Sequence, residues 1–134
     1  MSSDTLLLRF KDGIRKFNEG EFYVCHDILE DIWFDVRGWT RTFYQGIIHI
    51  AVGYYHITVR ENPKGALSQL NKAINKLQPY SPSFQGVELE KLINTIRTSI
   101  QIIQSHLEFN SADFDRKLIP QIEFDETGFK DEAA

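Results

Sequence analysis

The stretch TRTFYQGIIHIAVGYYHITVR, residues 40–60, decides the fold. Its apolar side chains run from Phe43, Tyr44, Ile47 and Ile48 through Ile50, Ala51 and Val52 to Tyr54, Tyr55, Ile57 and Val59. On a helix they point in nearly every direction. A helix apolar all round is a buried one, so this segment is expected at the centre of the molecule. Its β-branched residues would also suit strands, but its length and the lack of an internal turn pair favour helix. Thr40 is the expected N-cap, with the helix running from about Arg41 to about Arg60.

Gly46 and Gly53 interrupt this apolar surface seven residues apart. A glycine inside a helix costs about 1 kcal/mol and needs a packing reason, here the close approach of a neighbouring helix. Downstream, Asn62-Pro63 is the clearest boundary, with Asn as N-cap and Pro at the first helical position. A fourth helix then carries Ala66, Leu67, Leu70, Ala73, Ile74 and Leu77 and stops before Pro79. Residues 79–86 read as a loop. A fifth helix, from about Val87 to about Leu107, has the stripe Leu89, Leu92, Ile93, Ile96, Ile100, Ile103, Leu107. Upstream, Ser3 or Asp4 is placed to cap a first helix with Leu7, Phe10, Ile14 and Phe17 on one face. A second helix spans about Glu21 to Val36, with Phe22, Cys25, Leu29, Ile32 and Val36 inward and Arg37-Gly38 as its stop.

The chain of 134 residues is long enough for about one domain and one core, burying roughly two-thirds of its unfolded surface. With 42% hydrophobic and 25% charged residues it is neither disordered nor collagen-like. A net charge of −4 argues against gripping nucleic acid by charge, and none is expected as a partner. No apolar run is long enough to span a membrane, and Met1-Ser2-Ser3-Asp4 does not open a secretory signal. The lone Cys25 makes no internal disulfide and sits on an apolar stripe, so an inert buried thiol and a cytoplasmic location are expected. The expected architecture is all-α: a single compact bundle of about five helices over residues 1–107, with the third helix buried at its centre. Residues 108–134 form a short irregular C-terminal tail, packed on the bundle or trailing from it. Leu118 to Ile122 is its candidate extended piece.

On the second helix His26, Glu30, Trp33 and Arg37 fall within about 40° of one line. On the third, Arg41, Gln45, His49 and His56 share a line with Val52. Polar groups on a buried helix must find partners, since each left unpaired costs about 1–3 kcal/mol. Two helices joined by a short turn pack antiparallel. The simplest expectation is one network across their seam, drawn from His26, Glu30, Arg41, Gln45, His49 and His56.

Three readings of that network stay open. It is a structural lock that sets helix register. It is a small-ligand pocket. Or it is a site of chemistry, because neutral imidazole and carboxylate four apart on a helix can share an ion such as zinc, with His49 as third ligand. His56 lies about 10.5 Å along the axis from His49, too far to bind the same ion. Glu30 beside His26 also forms a candidate acid–base pair, with Arg41 and Gln45 orienting substrate. Trp39 and Tyr80 suggest an aromatic surface for a homodimer or another protein partner.

The runs FNEGEFYVCHDILEDIW (residues 17–33) and FYQGIIHIAVGYYH (residues 43–56) resemble domain-of-unknown-function family 309. So does Glu61 to Ala66, followed by Leu70, Ala73 and Leu77-Gln78-Pro79-Tyr80. The resemblance spans about residues 6–107. It implies a small all-helical domain, sometimes labelled a predicted metal-dependent hydrolase. The family pattern falls on His26, Glu30, Trp33, Gln45, Gly46 and His56. The family usually has Glu where this chain has Asp27. Two functions follow as expectations: a non-enzymatic interaction or scaffold module, or a metal-dependent hydrolase-like enzyme using His26 and Glu30.

Overall fold

In a computed structural model that describes residues 2–109 and 114–130, the chain is an all-helical bundle. Its helices are α1 (Ser3–Asn18), α2 (Phe22–Asp35), α3 (Trp39–Thr58), α4 (Pro63–Leu77) and α5 (Leu89–Phe109). Helix α3 lies between α2 and α4 and gives more fully buried side chains to the core than any other helix: Phe43, Tyr44, Ile47, Ile50, Ala51 and Tyr54.

Local chemistry accounts for most boundaries. The Ser2 hydroxyl accepts from the Thr5 N–H at the start of α1, one residue before the expected cap. At α4 the Asn62 side chain accepts from the Gly65 N–H and Pro63 occupies the first turn, as expected. Helix α3 departs from expectation: Gly38, in the left-handed region at φ 81°, precedes its first residue, Trp39. Thr40 therefore lies inside the first turn, buried, rather than capping it. Helix α5 starts two residues late because Val87–Glu88 pair with Ser83–Phe84 in a short antiparallel hairpin. Gly86 turns that hairpin at φ 78°, and an added Cβ there would meet the Asp125 carbonyl at 2.3 Å, so only glycine fits.

The interhelical packing turns on the two glycines of α3. A Cβ on Gly46 would stand 2.6 Å from Leu77, and one on Gly53 2.6 Å from Leu70. Leu70 and Leu77, themselves seven apart, thus seat antiparallel into the two gaps. On the other side, α2 runs antiparallel to α3, with Trp33 meeting Arg41 at one end and His26 sharing a cleft with His56 at the other. Helix α5 joins α3 through a buried hydrogen bond of 2.8 Å between the Tyr54 and Ser99 hydroxyls.

The described part of the C-terminal tail packs on the bundle. Ile122 is only 2% exposed. Its N–H donates to Asn18 Oδ1 at 2.7 Å, and its carbonyl accepts from Asn18 Nδ2 at 3.0 Å. Phe124 and Phe129 lie 5.4 and 5.9 Å from Phe10, and Asp125 N–H donates to the Gly86 carbonyl. Leu118, at the start of the expected extended piece, is exposed instead.

Gly53→Ala gains about 1 kcal/mol of helix propensity but forces Leu70 out of a fully buried seat, a strain of about 1–3 kcal/mol. The expected outcome in urea unfolding is a net loss of stability. Combined with Leu70→Ala, the loss should be clearly smaller than the sum of the two single effects, because the clash disappears.

Candidate functional site

The polar line of α3 is half-buried, whereas the face formed by Phe43, Tyr44, Ile47, Ile50, Ala51 and Tyr54 is fully buried. At 100° per residue it lies about 80° around the helix from the Gly46–Gly53 line that α4 covers. It therefore occupies the groove between α2 and α4, and its side chains divide between those neighbours.

Arg41 turns to α2. Its Nε donates to the Trp33 carbonyl at 3.2 Å and its guanidinium lies 3.9 Å over the Trp33 ring. This is a cation–π contact rather than the ion pair with Glu30 that facing helices would have allowed. Gln45 turns to α4, where its Oε1 accepts from Lys76 Nζ at 2.9 Å. His49 also turns to α4, its Nδ1–H donating to Gln69 Oε1 at 2.7 Å. The expected single seam network is thus corrected to two: α2 receives Arg41, and α4 receives Gln45 and His49. Sequence reasoning missed Gln69 and Lys76. Their signal was the matching seven-residue spacings Gly46/Gly53 and Leu70/Leu77, which put α4 beside the polar line.

His26 and Glu30 do meet, at 3.0 Å between Nε2 and Oε2, with Asp27 Oδ1 at 3.2 Å from Nδ1. The pair sits at the surface, its side chains 24% and 46% exposed, where such contacts stabilise by at most about 1 kcal/mol. Arg37, expected on the same line, lies beyond the end of α2 and caps its last carbonyls through Phe34. His26 also lines a partly enclosed cleft of about 220 Å³. Helix α2 lines it with Phe22, Tyr23 and His26, helix α3 with Val52, Tyr55 and His56, and Arg60 just beyond α3 completes the lining. His56, the remaining member of the polar line, therefore joins His26 around this cleft. Its Nδ1 is sealed and has no partner among the described residues.

The metal set His26, Glu30 and His49 is not assembled. His49 is tied to α4, and among the described residues no group of three or more His, Cys, Asp or Glu side chains is placed to hold an ion. The residues present do not fit a zinc site of that composition. Burial pushes the Cys25 thiol up to about 12, which keeps it protonated and inert. The aromatic surface reduces to Trp39, 60% exposed. Tyr80 is 4% exposed, its hydroxyl donating to the Trp39 carbonyl and its ring tilted against Trp39 with centroids 4.6 Å apart. No helix among the described residues is long and apolar enough to cross a membrane.

Residues 10–69 match the family model described as Domain of unknown function (DUF309). The DUF309 match opens at Phe10 in α1 and closes at Gln69 in α4. It thus contains every candidate residue above except Lys76 and Tyr80, and both partners of the His49–Gln69 bond. The segment from Leu70 through α5, included in the resemblance read from the sequence, lies outside it. No curated protein matches the chain.

Burial holds the His49 imidazole below its ordinary value, and the nearby Lys76 and Lys72 charges push the same way against the Gln69 hydrogen bond. Its Nε2 is buried without a partner, so a second ring proton would be an unsatisfied donor. The unfolded ring takes its proton near pH 6.5 and the folded ring only at lower pH. Stability from this site is therefore complete above about pH 6.5 and is lost as pH falls from there through the folded value. Thermal unfolding from pH 7.5 down to 5 should show a shallower decline in His49→Gln than in the parent protein.

Proposed function

We propose that this protein is a non-enzymatic helical binding module. Its α3 polar side chains act as register locks, and the α2–α3 cleft is its binding surface. One observation carries the reading: Arg41, Gln45 and His49 each end on a different partner within the fold, Trp33, Lys76 and Gln69. Groups each held by a separate neighbour are suited to fixing geometry, not to converging on a reacting atom. We place its work in the cytoplasm, where the buried Cys25 stays a thiol.

The second reading, a hydrolase-like enzyme, draws on the His26–Glu30 pair at 3.0 Å on the lip of the cleft. An imidazole oriented by a carboxylate is the arrangement a general base needs. Arg41 and Gln45, engaged elsewhere, would not orient its substrate.

Two measurements separate the readings. Gln69→Leu strands His49 Nδ1 and should lower stability by about 1–3 kcal/mol. Phosphoester, ester and amide substrates, each offered with zinc, with magnesium and with chelator, should show no turnover that depends on Glu30. Turnover abolished by both His26→Ala and Glu30→Gln would replace the module with the enzyme.

A further inference from the structure

We propose that the α2–α3 cleft binds a small organic carboxylate with a single flat or branched apolar body. The body would lie against Tyr23, Tyr55 and Val52, and the carboxylate would sit on Arg60 and His56. This rests on reading the cleft as a surface that binds rather than reacts.

Size comes first. An apolar cavity of about 150 Å³ holds one benzene, whereas sites for drug-sized ligands start near 300 Å³. The cleft, at about 220 Å³, takes one ring or a short branched chain and excludes a nucleotide or a folded peptide segment. Its walls choose the body. The Tyr23 and Tyr55 rings touch each other, 5.5 Å between centroids and inclined at 54°, so together they offer one aromatic surface, and Val52 adds an aliphatic one.

Charge chooses the head group. Arg60 is the one permanently charged side chain lining the cleft. Its guanidinium has no hydrogen bond or ion pair among the described residues, so its planar fork is open to a carboxylate in the two-pronged mode it favours. His56 adds a donor. With Nδ1 sealed and unpartnered, the neutral ring is better satisfied with its hydrogen on Nε2, the nitrogen left open. The nearby carboxylates, Glu30 and Asp27, are engaged with His26 and do not line the cleft. A cation would therefore meet Arg60 with no compensating negative wall.

The test is NMR titration of the full chain with phenylacetate, phenylacetamide and benzylamine. Phenylacetate should give saturable shifts centred on Tyr23, Tyr55 and His56 in the millimolar range. The amide and the amine should bind at least tenfold more weakly. Arg60 is on the surface, so Arg60→Gln should keep the spectrum of the fold and weaken phenylacetate at least tenfold. Equal binding of the amide, preference for the amine, unchanged binding in Arg60→Gln, or no saturable shift at the cleft would each overturn the carboxylate site. None of these would bear on the register locks, which are read from the stability of Gln69→Leu, or on the non-enzymatic reading, which Glu30-dependent turnover would end.

Discussion

The fit of Leu70 and Leu77 over Gly53 and Gly46 governs the arrangement of this bundle. Each glycine costs α3 about 1 kcal/mol of helix propensity. Each fully buried leucine returns about 1.5–3 kcal/mol, an upper figure because the unfolded chain already buries some of that surface. The exchange is most favourable when both leucines meet both gaps, so it also sets the antiparallel register of α3 and α4. Once that register is set, the rotation of α3 about its axis is set too. Its polar line then has one place to go, the groove between α2 and α4.

The two sides of that groove differ in kind. Against α4, where glycines allow close contact, Gln45 and His49 reach across to Lys76 and Gln69 with short hydrogen bonds. Against α2, large side chains stand where small ones would be needed for close contact. Tyr23 and Tyr55 prop the N-terminal end of α2 beside the C-terminal end of α3, and a cleft remains between them. Tight packing and open space are thus consequences of residue size on opposite flanks of one helix.

Much of this was readable from the chain. The five helices follow from apolar periodicity, the start of α4 from Asn62-Pro63, and the close helix contact from Gly46 and Gly53. The partners of the polar line were not readable. A helical wheel gives the direction of Gln45 and His49 but not which neighbour lies there, and chain adjacency pointed to α2. Pairing the glycine spacing with the Leu70/Leu77 spacing would have pointed to α4. The Ser83–Phe84 and Val87–Glu88 strands are too short to show alternation, so their hairpin was invisible and α5 seemed to begin early. The tail docks through Asn18, a contact across 104 residues that no local pattern encodes.

The two imidazoles of the cleft have unequal prospects. His26 has a carboxylate at each ring nitrogen, Asp27 on one side and Glu30 on the other. Any ligand or reacting atom that approached it would have to displace one of them. Both displaced groups would remain solvated, so the cost is small, but the imidazole would then lose the neighbour that made it a candidate base. His56 has the opposite arrangement: one nitrogen sealed by the protein and the other without a partner among the described residues. A ligand can engage it without breaking any interaction of the fold. Together with Arg60, this makes the C-terminal end of α3, rather than the His26–Glu30 pair, the part of the cleft best prepared to hold something.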